Sequence, residues 1–161
     1  METNQIVIRR AEAGDCPQMM ELIRELAVYE RQPDQVTVSL EEFVTCGFGP
    51  DPVWEAFVAE QFIPGSGQPP VLVGMSLFYI RYSTWKGRRL YLEDIVVTES
   101  MRGKGIGKEL FDQTLDLCRE RGYNGMVWQT LDWNEPALNF YRKYEGVQFD
   151  DEWINISIDT R

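Results

Sequence analysis

Histidine is absent from the 161 residues. That absence removes histidine-based triads, Cys–His nucleophile pairs and most zinc sites. Any acid–base chemistry therefore falls to carboxylates, lysine, tyrosine or cysteine. Cysteine is sparse: Cys16, Cys46 and Cys118 are odd in number and lack metal-ligand spacing. They read as small buried hydrophobes in a reducing compartment, and no metal is expected. No apolar run is long; the longest, residues 71–80, is about half of what a membrane-spanning helix needs. The opening Met1-Glu2-Thr3-Asn4-Gln5 has no basic patch ahead of an apolar stretch, so no signal peptide is read and a cytoplasmic location is expected. Positive charge is in deficit, with a net charge of −10, which argues against nucleic acid or an anionic membrane surface as partner. A cationic small molecule suits such a field, although an acidic balance also simply keeps proteins soluble.

What is present is an ordinary globular composition, 43% apolar and 26% charged, in a length that suits one domain spanning residues 1–161. Residues 5–9 alternate as a strand does. Asp15-Cys16-Pro17 reads as a helix start, with Asp15 as cap, and Met19, Leu22, Ile23, Leu26 and Ala27 follow at helical spacing. Ser39-Leu40-Glu41-Glu42 has the form of a capping box opening a short helix that ends near Gly47. Residues 54–60 read as a strand and 62–70 as a Pro/Gly-rich loop. Residues 71–82 and 89–97 flank Trp85-Lys86-Gly87 and pair as a long antiparallel hairpin. A helix follows over 107–121, with Ile106, Leu110, Thr114 and Leu117 on its buried face and Phe111 and Cys118 beside it. A strand over 126–131, a helix over 136–144 and two last strands, 147–149 and 153–158, close the chain. The order describes an α/β fold, a mixed sheet with helices packed on its faces.

Arg102-Gly103-Lys104-Gly105-Ile106-Gly107 lies between a strong strand and a strong helix. Alternate glycines let the backbone turn tightly and bring N–H groups near a ligand, and the following helix dipole points the same way. Such a cradle suits a pyrophosphate, with Arg102, Lys104 and Lys108 adding charge. Alone, the hexapeptide is equally a tight turn without a ligand. It is not an ATPase loop, because Gly107 is followed by Lys108-Glu109 rather than lysine and a hydroxyl residue.

Placed after Ile95-Val96-Val97, the hexapeptide resembles the acetyl-CoA signature of the GNAT acetyltransferase superfamily. Trp133-Asn134-Glu135-Pro136-Ala137-Leu138-Asn139-Phe140-Tyr141 is similar to that superfamily's second cofactor motif. Val7-Ile8-Arg9-Arg10-Ala11, Glu25-Leu26-Ala27-Val28-Tyr29-Glu30, Gly47-Phe48-Gly49 and Tyr91-Leu92-Glu93-Asp94 extend the resemblance to the diamine (spermidine/spermine) N-acetyltransferase family. Tyr82-Ser83-Thr84-Trp85-Lys86-Gly87-Arg88 is closer to its thialysine N-acetyltransferase branch. The resemblance runs from about residue 5 to 159. It implies the GNAT fold, a central mostly antiparallel sheet splayed between strands 4 and 5 with helices on both faces. It also implies acetyl-CoA as co-substrate, a small amine as acceptor and a homodimer with both chains near the amine site.

Acetyl transfer needs a neutral amine, and an alkylamine of pKa about 10.4 costs about 4–5 kcal/mol to deprotonate at neutral pH. A base, or a relay to one, is therefore expected. Glu93 and Asp94 sit mid-strand, where consecutive side chains point to opposite faces, so only one is expected to face the cleft. The resemblance makes Glu93 the base acting through water and gives Asp94 to the substrate amine; the bland alternative is a charge pair on a half-exposed strand. Tyr141 stands where the family has its proposed acid. A phenol is a poor donor to a thiolate, uphill by about 2 kcal/mol, so a hydrogen bond to the sulfur is the expected role; an aromatic core residue beside Phe140 is the alternative. The resemblance further implies backbone N–H groups near Ile95 for the oxyanion and Ile95, Val96 and Val97 for the pantetheine arm. Asn134, Ala137, and Arg142 or Lys143 would serve its far end, the two basic residues being equally a solvated helix face. Glu30, Trp85, Asp94, Glu152 and Trp153 are the candidates for an acidic, aromatic amine site.

Two features depart from the pattern. Ser83-Thr84 replaces the acidic residue and proline that polyamine-acetylating relatives carry before the tryptophan. That favours an acceptor with one cationic end, such as thialysine or a lysine-like amine, over long polyamines. Tyr144-Glu145-Gly146 carries one residue more than the family's helix ending, which alters the register of the last strands. A non-catalytic acyl-CoA sensor and an acetylase of protein N-termini or lysines are the competing readings.

Overall fold

The computed structural model describes residues 4–161, and the reading of the first three residues lies outside it. The chain divides into two compact units, one running to Gln129 and one from Thr130 to Arg161. In the first, β1 (Gln5–Arg10), β2 (Glu55–Phe62), β3 (Val71–Ser83), β4 (Gly87–Val97) and β5 (Met126–Trp128) form one sheet in sequence order. The first four pair antiparallel and β4 pairs parallel with β5. This is the mixed α/β sheet expected. The expected fifth strand shrinks from six residues to Met126–Trp128.

Helices α1 (Cys16–Tyr29) and α2 (Leu40–Phe48) cover one face, and α3 (Ile106–Glu120) covers the other. On the first face Met19, Leu22, Phe43 and Trp54 join Val58, Met75, Leu77 and Val96 in one buried cluster. On the second, Leu110, Phe111 and Cys118 are buried, and Ser76 of β3 meets Thr114 of α3 at 2.8 Å. The Thr114 hydroxyl donates to the Leu110 carbonyl (2.7 Å), so it accepts from Ser76. Leu117, expected inside, is only half-buried, because the apolar stripe turns towards Phe111 and Cys118. Ser39 caps α2 as read, accepting from the Glu42 N–H at 3.1 Å. Asp15 stands at the N-cap of α1 as read, but its side chain bonds none of that helix's donors. Its carboxylate is taken by the Arg9 guanidinium (2.8 and 2.9 Å) and by the Glu12 N–H (2.7 Å), which outcompete the helix's own donors.

The feature that shapes the site is an irregularity in β4. The ladder pairs Phe78 with Leu92 and Leu77 with Asp94, leaving Glu93 without a partner, as a β-bulge does. Directly paired residues share a face. Ser76 faces α3, so Phe78 and its partner Leu92 do too; Leu77 lies in the α1/α2 cluster, so Asp94 faces that side. Tyr79, two residues on from Leu77, shares that face, and its hydroxyl reaches Glu93. The expectation that Glu93 and Asp94 point opposite ways is therefore overturned: the extra residue cancels the alternation and turns both to the α1/α2 face. The β4–β5 ladder also stops at Leu92. Among the described residues β4 has no strand partner on the β5 side beyond the bulge, which is the expected splay.

The second unit holds α4 (Glu135–Arg142) and an extended tail. The two last strands predicted over 147–149 and 153–158 do not form. The alternation that suggested them is real, but Ile154, Ile156 and Ile158 are 84%, 90% and 88% exposed. A strand requires a neighbour to complete its ladder, and the tail's own unit contains none.

The buried Ser76–Thr114 pair yields a stability test. Thr114→Val strands the Ser76 hydroxyl in the core and is expected to lower the unfolding free energy by about 1–3 kcal/mol in urea titration. Adding Ser76→Ala should recover part of that loss.

Candidate active site

The cradle is built at the junction of β4 and α3. Gly103 and Gly105 adopt φ of 75° and 82°, the left-handed region open to glycine, and a Cβ at either would meet only open space. Gly105 is the N-cap of α3 and provides no side-chain cap, so the first-turn N–H groups are left for an acceptor from outside. These features fit a phosphate anion.

The cations around the cradle are arranged unevenly. Arg102 is folded back: its Nε donates to the Val97 carbonyl (2.9 Å), it lies 4.0 Å from Glu25, and it sits 5.3 Å from the Tyr29 ring. Glu25 accepts from the Thr98 hydroxyl (2.9 Å) and the Glu99 N–H (2.9 Å), tying α1 to the loop. Lys108 pairs with Asp112 at 2.5 Å, while Lys104 is exposed and touches the Met101 sulfur. Gly107 and Ile106 enter α3, with the Ile106 side chain buried. Ile95 and Val97 are half-buried, and the Val96 side chain is committed to the α1/α2 core, so Val96 offers only its backbone.

One helix turn beyond Glu25, Glu30 ends α1 at its C-cap. Its carboxyl is pushed up by burial. Asp94 is pushed further, to about 7, first by burial and then by the negative charges of Glu93 and Glu30. These three carboxylates thus form one cluster. Tyr79 Oη donates to Glu93 Oε2 at 2.8 Å, and the Tyr79 and Tyr91 rings lie 5.3 Å apart beside it. Burial and the Glu93 charge raise both phenols, so both remain donors. An acidic, aromatic face of this kind takes a cation.

Trp85 does not join that cluster within the chain. It is 83% exposed at the hairpin tip, and the six residue steps along β3 from Leu77 to Ser83 span about 20 Å. In the second unit, Asn134 caps α4 by accepting from the Ala137 N–H at 3.4 Å, so these two are bound to each other. Tyr141 is buried, with its ring 5.4 Å from Phe140, and Lys143 is exposed just past the helix. Glu152 and Trp153 lie in the exposed tail, where both donate to the Asp150 carboxylate: the Glu152 N–H at 3.1 Å and the Trp153 indole at 2.7 Å. The sequence reading missed Tyr79 and Tyr91 as members of the site. The hairpin alternation put them on one face, but only the register brings Tyr79 against Glu93. It also assigned no role to Glu25, whose partners are some seventy residues away. Among the described residues no group of three histidine, cysteine or acidic side chains is arranged to hold a metal, and no helix is long and apolar enough to cross a membrane.

A glycine cradle that fits a phosphate anion at the end of β4, with carboxylates and tyrosines clustered on the same strand, fits a transferase that takes a phosphate-bearing acyl donor. Comparison with known proteins agrees. Residues 17–146 match the model of the Acetyltransferase (GNAT) family. The chain is 43% identical over 138 residues to the thialysine N-epsilon-acetyltransferase of Bos taurus, covering 85% of this chain and 81% of that one. It is 32% identical over 145 residues to the human spermidine/spermine N(1)-acetyltransferase-like protein 1, covering 90% of this chain and 21% of that one. Among solved structures, an aminoglycoside acetyltransferase from a soil metagenome superposes with a TM-score of 0.75 at 20% identity, over 96% of this chain and 97% of that one. Aminoglycoside N-acetyltransferase AAC(6')-Iy in complex with CoA gives 0.72 at 17% identity, over 97% and 96%. The chain belongs to the Acetyltransferase (GNAT) family. It is an N-acetyltransferase.

Two measurements follow from this geometry. Asp94 keeps a proton in the folded state up to about pH 7 that the unfolded chain releases in the ordinary carboxyl range. Its burden on stability therefore grows as pH rises through that window and is constant above it. Asp94→Asn should raise the melting temperature at pH 8 and leave it nearly unchanged at pH 4. Glu25→Gln, which removes the anchor of the phosphate loop, should weaken acetyl-CoA binding about tenfold by titration calorimetry, a loss of about 1.4 kcal/mol.

Proposed function

We propose that this enzyme acetylates the primary amine of a small cationic metabolite, with thialysine or a lysine-like amine as its preferred acceptor. The observation that carries this reading is the convergence of Glu30, Glu93 and Asp94 with Tyr79 and Tyr91 on one face of the β4 bulge. Three carboxylates match an ammonium group. Ser83-Thr84 before Trp85 adds no carboxylate for a second distant one, and relatives named for thialysine share 40–43% identity over most of both chains.

Acetyl-CoA supplies the thioester whose carbonyl carbon the neutral amine attacks. Asp94 and Glu30 hold the incoming cation, and Glu93 accepts its proton through a water molecule. Backbone N–H groups near Ile95 face the oxygen that gains negative charge, in the stretch of β4 that β5 leaves unpaired. As the new C–N bond forms and the C–S bond breaks, Tyr141 donates a hydrogen bond to the departing sulfur. Gly103, Gly105 and Gly107 receive the pyrophosphate with Lys104, and Ile95–Val97 align the arm that leads from it. Asn134, Ala137 and Lys143 serve the far end of that arm.

The working form is a homodimer, in which Trp85 of one copy completes the amine site of the other. Exposed Tyr82 and Trp85 on the hairpin, and exposed Trp153 and the isoleucines of the tail, are apolar surface for such a partner to cover. Glu152 and Trp153 join the amine site by the same route. The cytoplasm is the proposed compartment, supported by three free cysteines.

The test is thiol release from acetyl-CoA with thialysine, lysine, spermidine and putrescine. Thialysine should lead the panel, and Tyr141→Phe should slow turnover about a hundredfold. Spermidine in the lead would replace the acceptor with a polyamine and leave the chemistry intact. Tight acetyl-CoA binding with no thiol release across a broad amine panel would mean a sensor instead.

A further inference from the structure

The bulge that turns Glu93 towards the amine also loosens it. Glu93 is exposed and has no ladder partner, so neither packing nor strand pairing fixes its side chain. A carboxylate relaying a proton through one water must present a defined oxygen at a defined place. The neighbouring strand supplies that restraint. Tyr79 pairs with Tyr91 in the unbulged part of the ladder, its ring lies 5.3 Å from that of Tyr91, and its hydroxyl reaches Glu93 Oε2 at 2.8 Å. Arg81, two residues further on, lies 5.6 Å from the other partner's ring, that of Tyr91.

We propose that Tyr79 is a positioning residue for acetyl transfer: its hydroxyl pins Glu93 Oε2 at the β4 bulge and leaves Oε1 to take the amine proton through water. This inference rests on the reading of Glu93 as the base. The phenol keeps its own proton throughout, because burial and the Glu93 charge hold it well above the ordinary tyrosine value. It therefore acts only as a donor.

The test is a double-mutant cycle on the full-length enzyme with saturating acetyl-CoA and the best acceptor of the panel. Tyr79→Phe keeps the ring against Tyr91 and removes only the hydroxyl. It should leave the melting temperature and the amine KM essentially unchanged and lower kcat about tenfold. Glu93→Gln should lower kcat further, and Tyr79→Phe added to it should cost nothing more, because the hydroxyl acts only through that carboxylate. Full kcat in Tyr79→Phe with a crippled Glu93→Gln would overturn the positioning role and leave Glu93 as the base. Effects that add in the double variant would overturn it as well, by showing that Tyr79 acts elsewhere. Wild-type kcat in Glu93→Gln would remove both the base and the residue that positions it.

Discussion

A single residue without a partner in the β3–β4 ladder decides which side chains of β4 meet on the α1/α2 face. Strand alternation would have sent Glu93 and Asp94 to opposite faces and kept Leu92 and Asp94 on the same one. With Glu93 extruded, the phase of β4 changes between Leu92 and Asp94, so Leu92 faces the α3 core while Glu93 and Asp94 join Tyr91 on the α1/α2 face. The parallel ladder to β5 ends at that point, which leaves backbone donors of β4 available for chemistry. A bulge costs a ladder position and yields three things together: a pair of carboxylates on one face, an open strand edge and a re-aimed chain leading to the phosphate loop.

Helix α1 links the glycine loop to the carboxylate cluster of β4. Glu25 grips the Thr98–Glu99 corner that leads into the glycine loop, and Glu30, five residues and about 7.5 Å further along the helix, faces Asp94. Arg102 is held by the same helix through Glu25 and Tyr29. It shapes the loop from behind, while the backbone N–H groups of the loop and α3 present the attracting edge. The burial of Asp94, with the like charges of Glu93 and Glu30 beside it, opposes folding and raises its carboxyl to about 7. Stability given up at one point in this way is a common mark of a site built for binding rather than for packing.

Much of this was legible beforehand, because local patterns carry it. The hairpin, the glycine turn and α1 to α4 follow from periodicity and capping chemistry within short stretches, and the motif around Asn134 and Tyr141 from its resemblance to a known cofactor motif. The errors lie where a longer-range competitor intervened. The Asp15 side chain would cap α1 if Arg9 and Glu12 did not claim its carboxylate first. The final strands would form if a neighbouring edge were supplied, for the isoleucine alternation is present and exposed.

By itself the sequence determined the class of fold, the glycine-rich turn and the kinds of residue available for catalysis, since with no histidine the work falls to carboxylates, lysine, tyrosine or cysteine. Those properties depend on residues near one another along the chain. Only the tertiary structure decided which carboxylates act together. Register is a relation between strands, and shifting one residue changes the face of every residue after it. The meeting of Tyr79 with Glu93, of Glu30 with Asp94 and of Glu25 with the phosphate loop is the consequence of that register and of where α1 is laid across it.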